Sequence, residues 1–267
     1  MKKIIIAISF FTLFSCAVNP YRESEKAYNR QLKTVVKTIS TKDTVNFAAG
    51  LTSKFIGTTN FNLRKPNFVI IHHTAQDSLA QTIKTFTLTR TQVSAHYVIA
   101  DDGRIVQMLN DYMRAWHAGS GTWGKNADIN SCSIGIELDN NGIEPFSEKQ
   151  VTSLLALLAK LKKDYNIPAQ NFIGHSDIAP TRKNDPSKLF PWQKLAENGF
   201  GLWQKGELLL APTTFDPLLG LKIIGYEIKN VDAVVKAFKL HYNQKTIDAV
   251  LDQPTSDLIY NIYLQSF

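Results

Sequence analysis

The stretch Phe68-Val69-Ile70-Ile71-His72-His73-Thr74 is a continuous apolar run that ends on two histidines. Such a run is typical of a strand buried on both faces, as in a parallel sheet. The strand would deliver His72 to its carboxyl end, where α/β sheets collect their binding sites. The run therefore predicts a central strand with a functional site at its end.

Further strands are predicted on the carboxyl-terminal side of this run. Tyr97–Ala100 and Ile105–Leu109 flank Asp101-Asp102-Gly103. Because Asp-Gly supplies the positive φ of a tight turn, these segments predict a β-hairpin. Ser133–Leu138 alternates like a strand, and Phe172-Ile173 predicts another.

Helices are predicted between and after these strands. Asp77–Phe86 has a helical pattern, and a short helix starts at Pro191 and ends near Gly199. Ser147-Glu148-Lys149-Gln150 is a capping box. The helix after it has one apolar stripe, made of Val151, Leu154, Leu155, Leu158 and Leu161. The alternation predicts an α/β domain over residues 51–203, with a mixed central β-sheet flanked by helices.

A composition shift near Ala211-Pro212-Thr213-Thr214 predicts a linker that opens a small C-terminal domain, residues 211–267. Asp216-Pro217 supplies an N-cap and a first helical position, with Gly225 as the stop. The remaining helical patterns are Val231–Tyr242 and Thr255–Leu264. We predict a three-helix bundle that binds a ligand or packs against the main domain.

The amino terminus has the pattern of an export signal. Lys2-Lys3 precedes the apolar run Ile4–Phe14, which is short for a membrane span. Leu13-Phe14-Ser15-Cys16 is similar to a bacterial lipoprotein box. Residues 1–15 are therefore predicted to be removed and Cys16 to be lipidated. An ordinary signal peptide with an incidental thiol is the alternative.

Residues 16–50 are polar with little hydrophobic periodicity, and they predict a tether. Lys33–Thr41 is the only short helix suggested there. With Cys16 modified, Cys132 has no partner for an intrachain disulfide. We expect a monomer that acyl chains hold to a membrane, located in the cell envelope as an outer-membrane lipoprotein that faces the periplasm.

Composition narrows the classes of function. The chain has 267 residues, 44% of them hydrophobic and 20% charged, which is ordinary for a globular protein. Its net charge of +7 suits an anionic polymer, but no basic cluster or aromatic platform indicates a nucleic-acid partner. A zinc peptidase is not supported, because no His-Glu-x-x-His helix occurs.

Two imidazoles and a carboxylate that can converge are the ligand set of a catalytic zinc. One histidine pair ends the first strand, and Gly174–Pro186 supplies His175 and acids. Only one of His72 and His73 can point at a metal, because adjacent strand residues face opposite ways. Glu137 lies among apolar strand residues, where an acid is more easily explained by function than by stability.

Five ordered blocks between Phe61 and Gly199 carry a family resemblance. They are Val69–Thr74, Ser94–Tyr97, Trp116–Gly119, Ile134–Glu137 and Gly174–Pro186. Together they resemble the zinc-dependent N-acetylmuramoyl-L-alanine amidases related to peptidoglycan recognition proteins, and among these an outer-membrane lipoprotein type. The C-terminal segment is similar to the small peptidoglycan-binding-like domain that follows the amidase in that type.

The resemblance implies that His72, His175 and Asp185 bind Zn2+. It also implies that Glu137 deprotonates the attacking water and passes the proton to the leaving amine. Lys183, together with the zinc, would stabilise the oxyanion. The hydrolysed bond would be the amide between the lactyl group of N-acetylmuramic acid and L-alanine.

Substrate contacts are expected from His96, Tyr97, Trp116 and His117, for which packing in the core or hairpin is the alternative. Asp177 is interpreted as the cap of a turn. Two functions are compatible with the family: an amidase acting on peptidoglycan or muropeptides, and a non-catalytic peptidoglycan-binding lipoprotein on the same fold. Because the ligand set, the acid and the lysine are all present, the sequence favours catalysis.

Overall fold

The computed structural model describes residues 19–40, 60, 63 and 65–267. The predicted signal peptide, Cys16 and the part of the tether after residue 40 lie outside the described residues. The chain divides after Thr59 into two units. In the first unit, α1 (Arg22–Ser40) is longer than the suggested Lys33–Thr41 helix and buries none of its side chains. Among the described helices, none has the length and apolar content needed to cross a membrane.

The second unit, Asn60–Phe267, is built on a five-stranded sheet. The strands are β1 (Phe68–His73), β2 (Tyr97–Ile99), β3 (Ile105–Gln107), β4 (Ser133–Leu138) and β5 (Phe172–Gly174). Their order is β3-β2-β4-β1-β5. β1 is parallel to β4 and β5, and β2 is parallel to β4. The predicted hairpin β2–β3 pairs antiparallel, so the predicted mixed sheet is confirmed.

Seven helices surround this sheet in the described part of the unit. They are α2 (Leu79–Thr87), α3 (Glu148–Tyr165), α4 (His175–Ile178), α5 (Trp192–Glu197), α6 (Pro217–Ile224), α7 (Val231–Tyr242) and α8 (Gln253–Tyr263). Two predicted caps form. The Ser147 side chain accepts a hydrogen bond from the N–H of Gln150. The Asp216 side chain accepts hydrogen bonds from the N–H groups of Leu218 and Leu219 in the first turn of α6.

Alternate residues of β1 face two different cores. Val69 and Ile71 pack in one core with the apolar stripe of α3. Phe68 and Ile70 pack in the other, which also contains buried residues of α6, α7 and α8. The three C-terminal helices, here called the bundle, therefore share a core with the sheet. The domain boundaries given above stay predictions.

The parallel register brings the carboxyl ends of β1, β4 and β5 together at one edge of the sheet, across the strand ends. His72 lies opposite Glu137 in the pairing of β1 with β4. β5 ends at Gly174, and α4 begins with His175 directly after it. Because side chains alternate along a strand, His72 faces the same side as Ile70, which is the side of the bundle.

Candidate metal centre

The three predicted ligands meet at this edge of the sheet. His72 Nδ1 lies 2.9 Å from His175 Nδ1 and 3.2 Å from Asp185 Oδ2, and His175 Nδ1 lies 3.0 Å from Asp185 Oδ2. All three side chains are buried. Donor atoms that share a tetrahedral zinc at about 2.0 to 2.1 Å are roughly 3.3 Å apart. Two imidazole nitrogens and a carboxylate oxygen at these separations fit one zinc ion.

His73 points away from these three donors. Its Nδ1 accepts a hydrogen bond from the N–H of Ser187 at 3.1 Å. Its ring also fills the space at Gly142, where a Cβ would lie 2.7 Å from His73 Nε2. The two histidines thus face opposite ways, and His72 is the one that joins His175 and Asp185.

One loop lies against the Nε2 atoms of both His72 and His175. His72 Nε2 lies 3.1 Å from His117 Nδ1, and His175 Nε2 lies 3.3 Å from the carbonyl oxygen of Ala118. The side-chain oxygen of Asn130 accepts from the N–H groups of His117 and Ala118 at 3.0 and 2.9 Å. Because each Nε2–H has an acceptor, each Nδ1 keeps its lone pair for a metal.

His117 is the middle of a hydrogen-bond chain. Its Nε2 lies 3.2 Å from the Ser133 hydroxyl, which donates to the carbonyl oxygen of Ile129 at 2.6 Å. Its Nδ1 is therefore left to accept from His72. The ring lies over Gly135, where a Cβ would be 2.3 Å from its Cγ. His117 is 8% exposed and supports His72, and its ring also lines the cavity of the donors, so its substrate contact stays a prediction.

His96 and Tyr97 lie in the core, contrary to the substrate contact predicted for them. His96 is fully buried, and its ring nitrogens pair with the Met113 carbonyl at 2.9 Å and the Gly135 N–H at 3.0 Å. The hydroxyl of Tyr97 donates to Asp111 at 2.7 Å. Their polar groups are already satisfied, so neither side chain is left for a ligand.

The donors line a cavity of about 320 Å3. Glu137 and Lys183 line the same cavity, and so does Trp116, whose side chain is 49% exposed. Arg182 is a further cation on the wall, and its Nη2 donates to the carbonyl oxygen of Ala118 at 3.3 Å. An acid, two cations and an open indole therefore surround the buried donors.

Burial governs protonation in this cavity. Burial and the neighbouring His175 lower the pKa of His72 to about 4, so its ring is neutral at neutral pH. Burial also raises the pKa of Glu137 to about 8; Asp185 adds to this shift and Lys183 opposes it. Burial alone would raise the pKa of Asp185, but the interactions with the neighbouring His175 and His72 outweigh it and lower that pKa. A neutral imidazole and a carboxylate are suitable metal donors.

Sequence reasoning missed the supporting residues Asn130 and Ser133. A signal for Ser133 exists, because it shares the strand face of Gly135 and Glu137 in β4. Asn130 lies in a short turn before that strand and pairs with a loop 12 and 13 residues earlier. Its hydrogen bonds to the N–H groups of His117 and Ala118 form only once the chain is folded, so no sequence pattern indicates them.

Comparison with known proteins identifies the family. A family model described as N-acetylmuramoyl-L-alanine amidase matches residues 62–188. N-acetylmuramoyl-L-alanine amidase AmiD of Escherichia coli (strain K12) is 34% identical over 222 residues, which cover 70% of this chain and 78% of that relative. The chain belongs to the N-acetylmuramoyl-L-alanine amidase family. The family resemblance found in the sequence is thereby confirmed.

A further relative and two solved structures are also similar to this chain. The 1,6-anhydro-N-acetylmuramyl-L-alanine amidase AmpD of Haemophilus influenzae is 40% identical over 104 residues, 39% of this chain and 56% of that relative. A solved complex of E. coli AmiD superposes with a TM-score of 0.69 and 28% identity, covering 82% of this chain and 97% of that one. AmpDh3 of Pseudomonas aeruginosa gives a TM-score of 0.70 and 26% identity, with 84% and 98% covered. The predicted fold is confirmed.

Proposed function

We propose that this chain is a zinc-dependent amidase that hydrolyses the bond between the lactyl group of N-acetylmuramic acid and L-alanine of the peptidoglycan stem peptide. The observation that carries the proposal is the meeting of His72, His175 and Asp185 beside Glu137 in one cavity. Family membership supports the enzyme class, a hydrolase. The similar AmiD structure holds the substrate anhydro-N-acetylmuramic acid-L-Ala-D-gamma-Glu-L-Lys.

His72, His175 and Asp185 would hold the zinc through Nδ1, Nδ1 and Oδ2. When bound, zinc supplies Lewis acidity, which polarises a carbonyl and makes water a stronger acid. The hydrogen bonds at both Nε2 atoms keep the two imidazoles from rotating away. The chain therefore presents its donors in one fixed arrangement.

Glu137 is the proposed base and acid. The register of β1 with β4 delivers it beside His72, at the cavity that the ligands line. Because burial raises its pKa, the carboxylate can hold a proton that it has taken from water and return it to the leaving nitrogen of L-alanine. Lys183 lines the same cavity and would place its ammonium near the developing oxyanion.

The cavity wall suits a muropeptide. Trp116 offers an exposed apolar ring against which a sugar or peptide can pack. Arg182 and Lys183 provide positive charge that matches the carboxylates of a stem peptide. We propose that peptidoglycan and its muropeptide fragments are the substrates.

Digestion of purified sacculi and muropeptides tests this function. Wild-type chain is expected to release stem peptides with free L-alanine amino termini, detected by mass spectrometry. A chelator should stop the release, and added zinc should restore it. Binding to sacculi without any release would instead favour the non-catalytic peptidoglycan-binding lipoprotein.

Lys183→Met is expected to lower kcat about 10²-fold, the usual effect of removing one group that stabilises an oxyanion. Zinc content should stay at the wild-type level, because Lys183 is not among the donors. Steady-state kinetics and metal analysis measure the two effects. Lys188→Met is the matched control, since it removes an exposed cation that does not line the cavity. Equal kcat values for Lys183→Met and the wild type would contradict the assigned role.

His117→Leu is expected to weaken zinc binding about 10- to 100-fold, because the Nε2–H of His72 loses its acceptor. His117→Asn should keep most of the affinity, since an amide oxygen can replace Nδ1 as acceptor. Competition with a chromogenic chelator measures both constants. Identical losses in the two variants would show that packing, and not the hydrogen bond, explains the effect.

We also propose the lipid anchor at Cys16 and a place at the outer membrane, facing the periplasm. The support is the sequence of residues 1–16, with its basic start, short apolar run and cysteine. Labelling of growing cells with a fatty-acid analogue should modify the wild type and not Cys16→Ala. Fractionation of the same cells on a density gradient shows whether the protein is found with the outer membrane.

A further inference from the structure

A fully buried carboxylate, that of Asp177, lies two residues beyond the proposed zinc ligand His175. Asp177 Oδ1 accepts from the hydroxyl of Tyr226 at 2.6 Å. Its Oδ2 accepts from the N–H of Gly174 at 2.7 Å and lies 2.7 Å from His241 Nδ1. Because a carboxylate without a proton can only accept, His241 Nδ1 is the donor. Three donors therefore hold this side chain.

The donors come from both parts of the folded unit. Gly174 ends β5, whereas Tyr226 follows α6 and His241 lies in α7, both in the bundle. All three side chains of the network, those of Asp177, Tyr226 and His241, are almost completely buried. The network is thus the polar connection between the bundle and the short helix α4.

α4 determines the position of two of the three metal donors. It begins with His175, and the N–H of Ser176 donates to the backbone carbonyl of Asp185 at 2.8 Å. The Asp177 side chain closes the first turn of this helix onto Gly174. A shift of Asp177 would therefore move His175 and Asp185 together.

Packing fixes the ring of His241. It stacks on Trp192 with ring centroids 3.8 Å apart and on Tyr242 with centroids 3.9 Å apart. Its Nε2 is buried without a hydrogen-bond partner among the described residues. A buried polar atom without a partner costs stability, so stability alone does not account for a histidine at this position.

We propose that Tyr226 and His241 are positioning residues, through which the bundle sets the orientation of His175 toward the zinc by way of Asp177. The inference rests on the proposed zinc function. It gives the bundle a task in the metal site, in addition to any contact it makes with peptidoglycan.

Zinc affinity of the full chain tests the proposal, measured by competition with a chromogenic chelator. Tyr226→Phe and His241→Phe keep an aromatic ring and remove only the donor to Asp177. Each is expected to weaken zinc binding about tenfold or more, as is usual when a partner of a ligand is lost. The Co2+-loaded variants should also have altered d–d absorption bands.

Two controls separate positioning from general stability. Tyr242→Phe removes a hydroxyl from the residue next to His241 in α7, and among the described residues that hydroxyl has no hydrogen bond to Asp177. Val235→Ala leaves a cavity in the shared core without removing a hydrogen bond of the network. Both controls should bind zinc within twofold of the wild type, although Val235→Ala should unfold at a lower temperature.

The outcomes distinguish this inference from the proposed function. Wild-type affinity and unchanged Co2+ bands in both donor variants would overturn the inference while leaving the zinc amidase intact. An affinity loss in Val235→Ala equal to that in the donor variants would also overturn it, since general loosening would then explain the effect. A wild-type chain that binds no zinc would overturn both.

Discussion

Glu137→Gln is expected to lower the rate of muropeptide hydrolysis about 10²- to 10⁴-fold, the usual contribution of a positioned acid–base group. Glutamine has nearly the same shape, but its amide cannot accept a proton from water near neutral pH. Zinc binding should be unchanged, because the three donors are His72, His175 and Asp185. The loss should therefore appear in kcat, with little change in metal content.

Initial rates of release of L-alanine amino termini measure this effect, with zinc determined on the same samples. Glu144→Gln is a suitable control, because it neutralises an exposed acid that does not line the cavity of the metal centre. A Glu137→Gln variant that retains a tenth or more of the wild-type rate would rule out Glu137 as the base.

Asp185→Ala is expected to abolish both zinc binding at micromolar free metal and amidase activity. The change removes one of three donors and leaves the two Nδ1 atoms of His72 and His175 facing each other at 2.9 Å. Two imidazoles alone do not complete the three-ligand set of a hydrolytic zinc site.

Calorimetric titration of the metal-free protein with zinc measures this loss. Wild-type activity should return when zinc is added after chelation, whereas that of Asp185→Ala should not. Asp139→Ala is the control, because it removes a carboxylate from the chain just beyond β4 without removing a donor. Stoichiometric zinc in the Asp185→Ala protein would refute the proposed ligand set.

The sequence predicts the centre of the sheet well, because β1 and β4 are apolar runs with a clear strand character. In β4, Ile134, Ile136 and Leu138 belong to one core, which leaves Glu137 on the other face. The same alternation separates His72 from His73. Local chemistry therefore suffices to predict which side chains can meet at the strand ends.

The helix α1 is predicted only in part, since its side chains are not buried. A search for apolar periodicity detects helices that cover a core. This helix is rich in Arg, Glu and Lys, which have high intrinsic helix propensity and form a helix without a buried stripe. Without a buried apolar stripe, α1 has little of the periodicity that indicates a helix in a sequence.

Contacts between distant segments account for the remaining differences. Tyr97 is held by Asp111, which also accepts from Tyr165, a residue 54 positions later. Asp177 meets Tyr226 and His241 across 49 and 64 residues. Neither pairing has a local pattern. The sequence therefore does not separate core packing from substrate contact for Tyr97. For Asp177 it predicts the turn cap onto Gly174, but not the contacts with Tyr226 and His241.

Phe68 and Ile70 lie in the core that the bundle completes. One face of the catalytic sheet can therefore be covered only after α6, α7 and α8 have been synthesised. We expect a chain that lacks those helices to be incompletely folded and to retain a metal poorly. Maturation of this enzyme would then be a late, whole-chain event and not a domain-by-domain one.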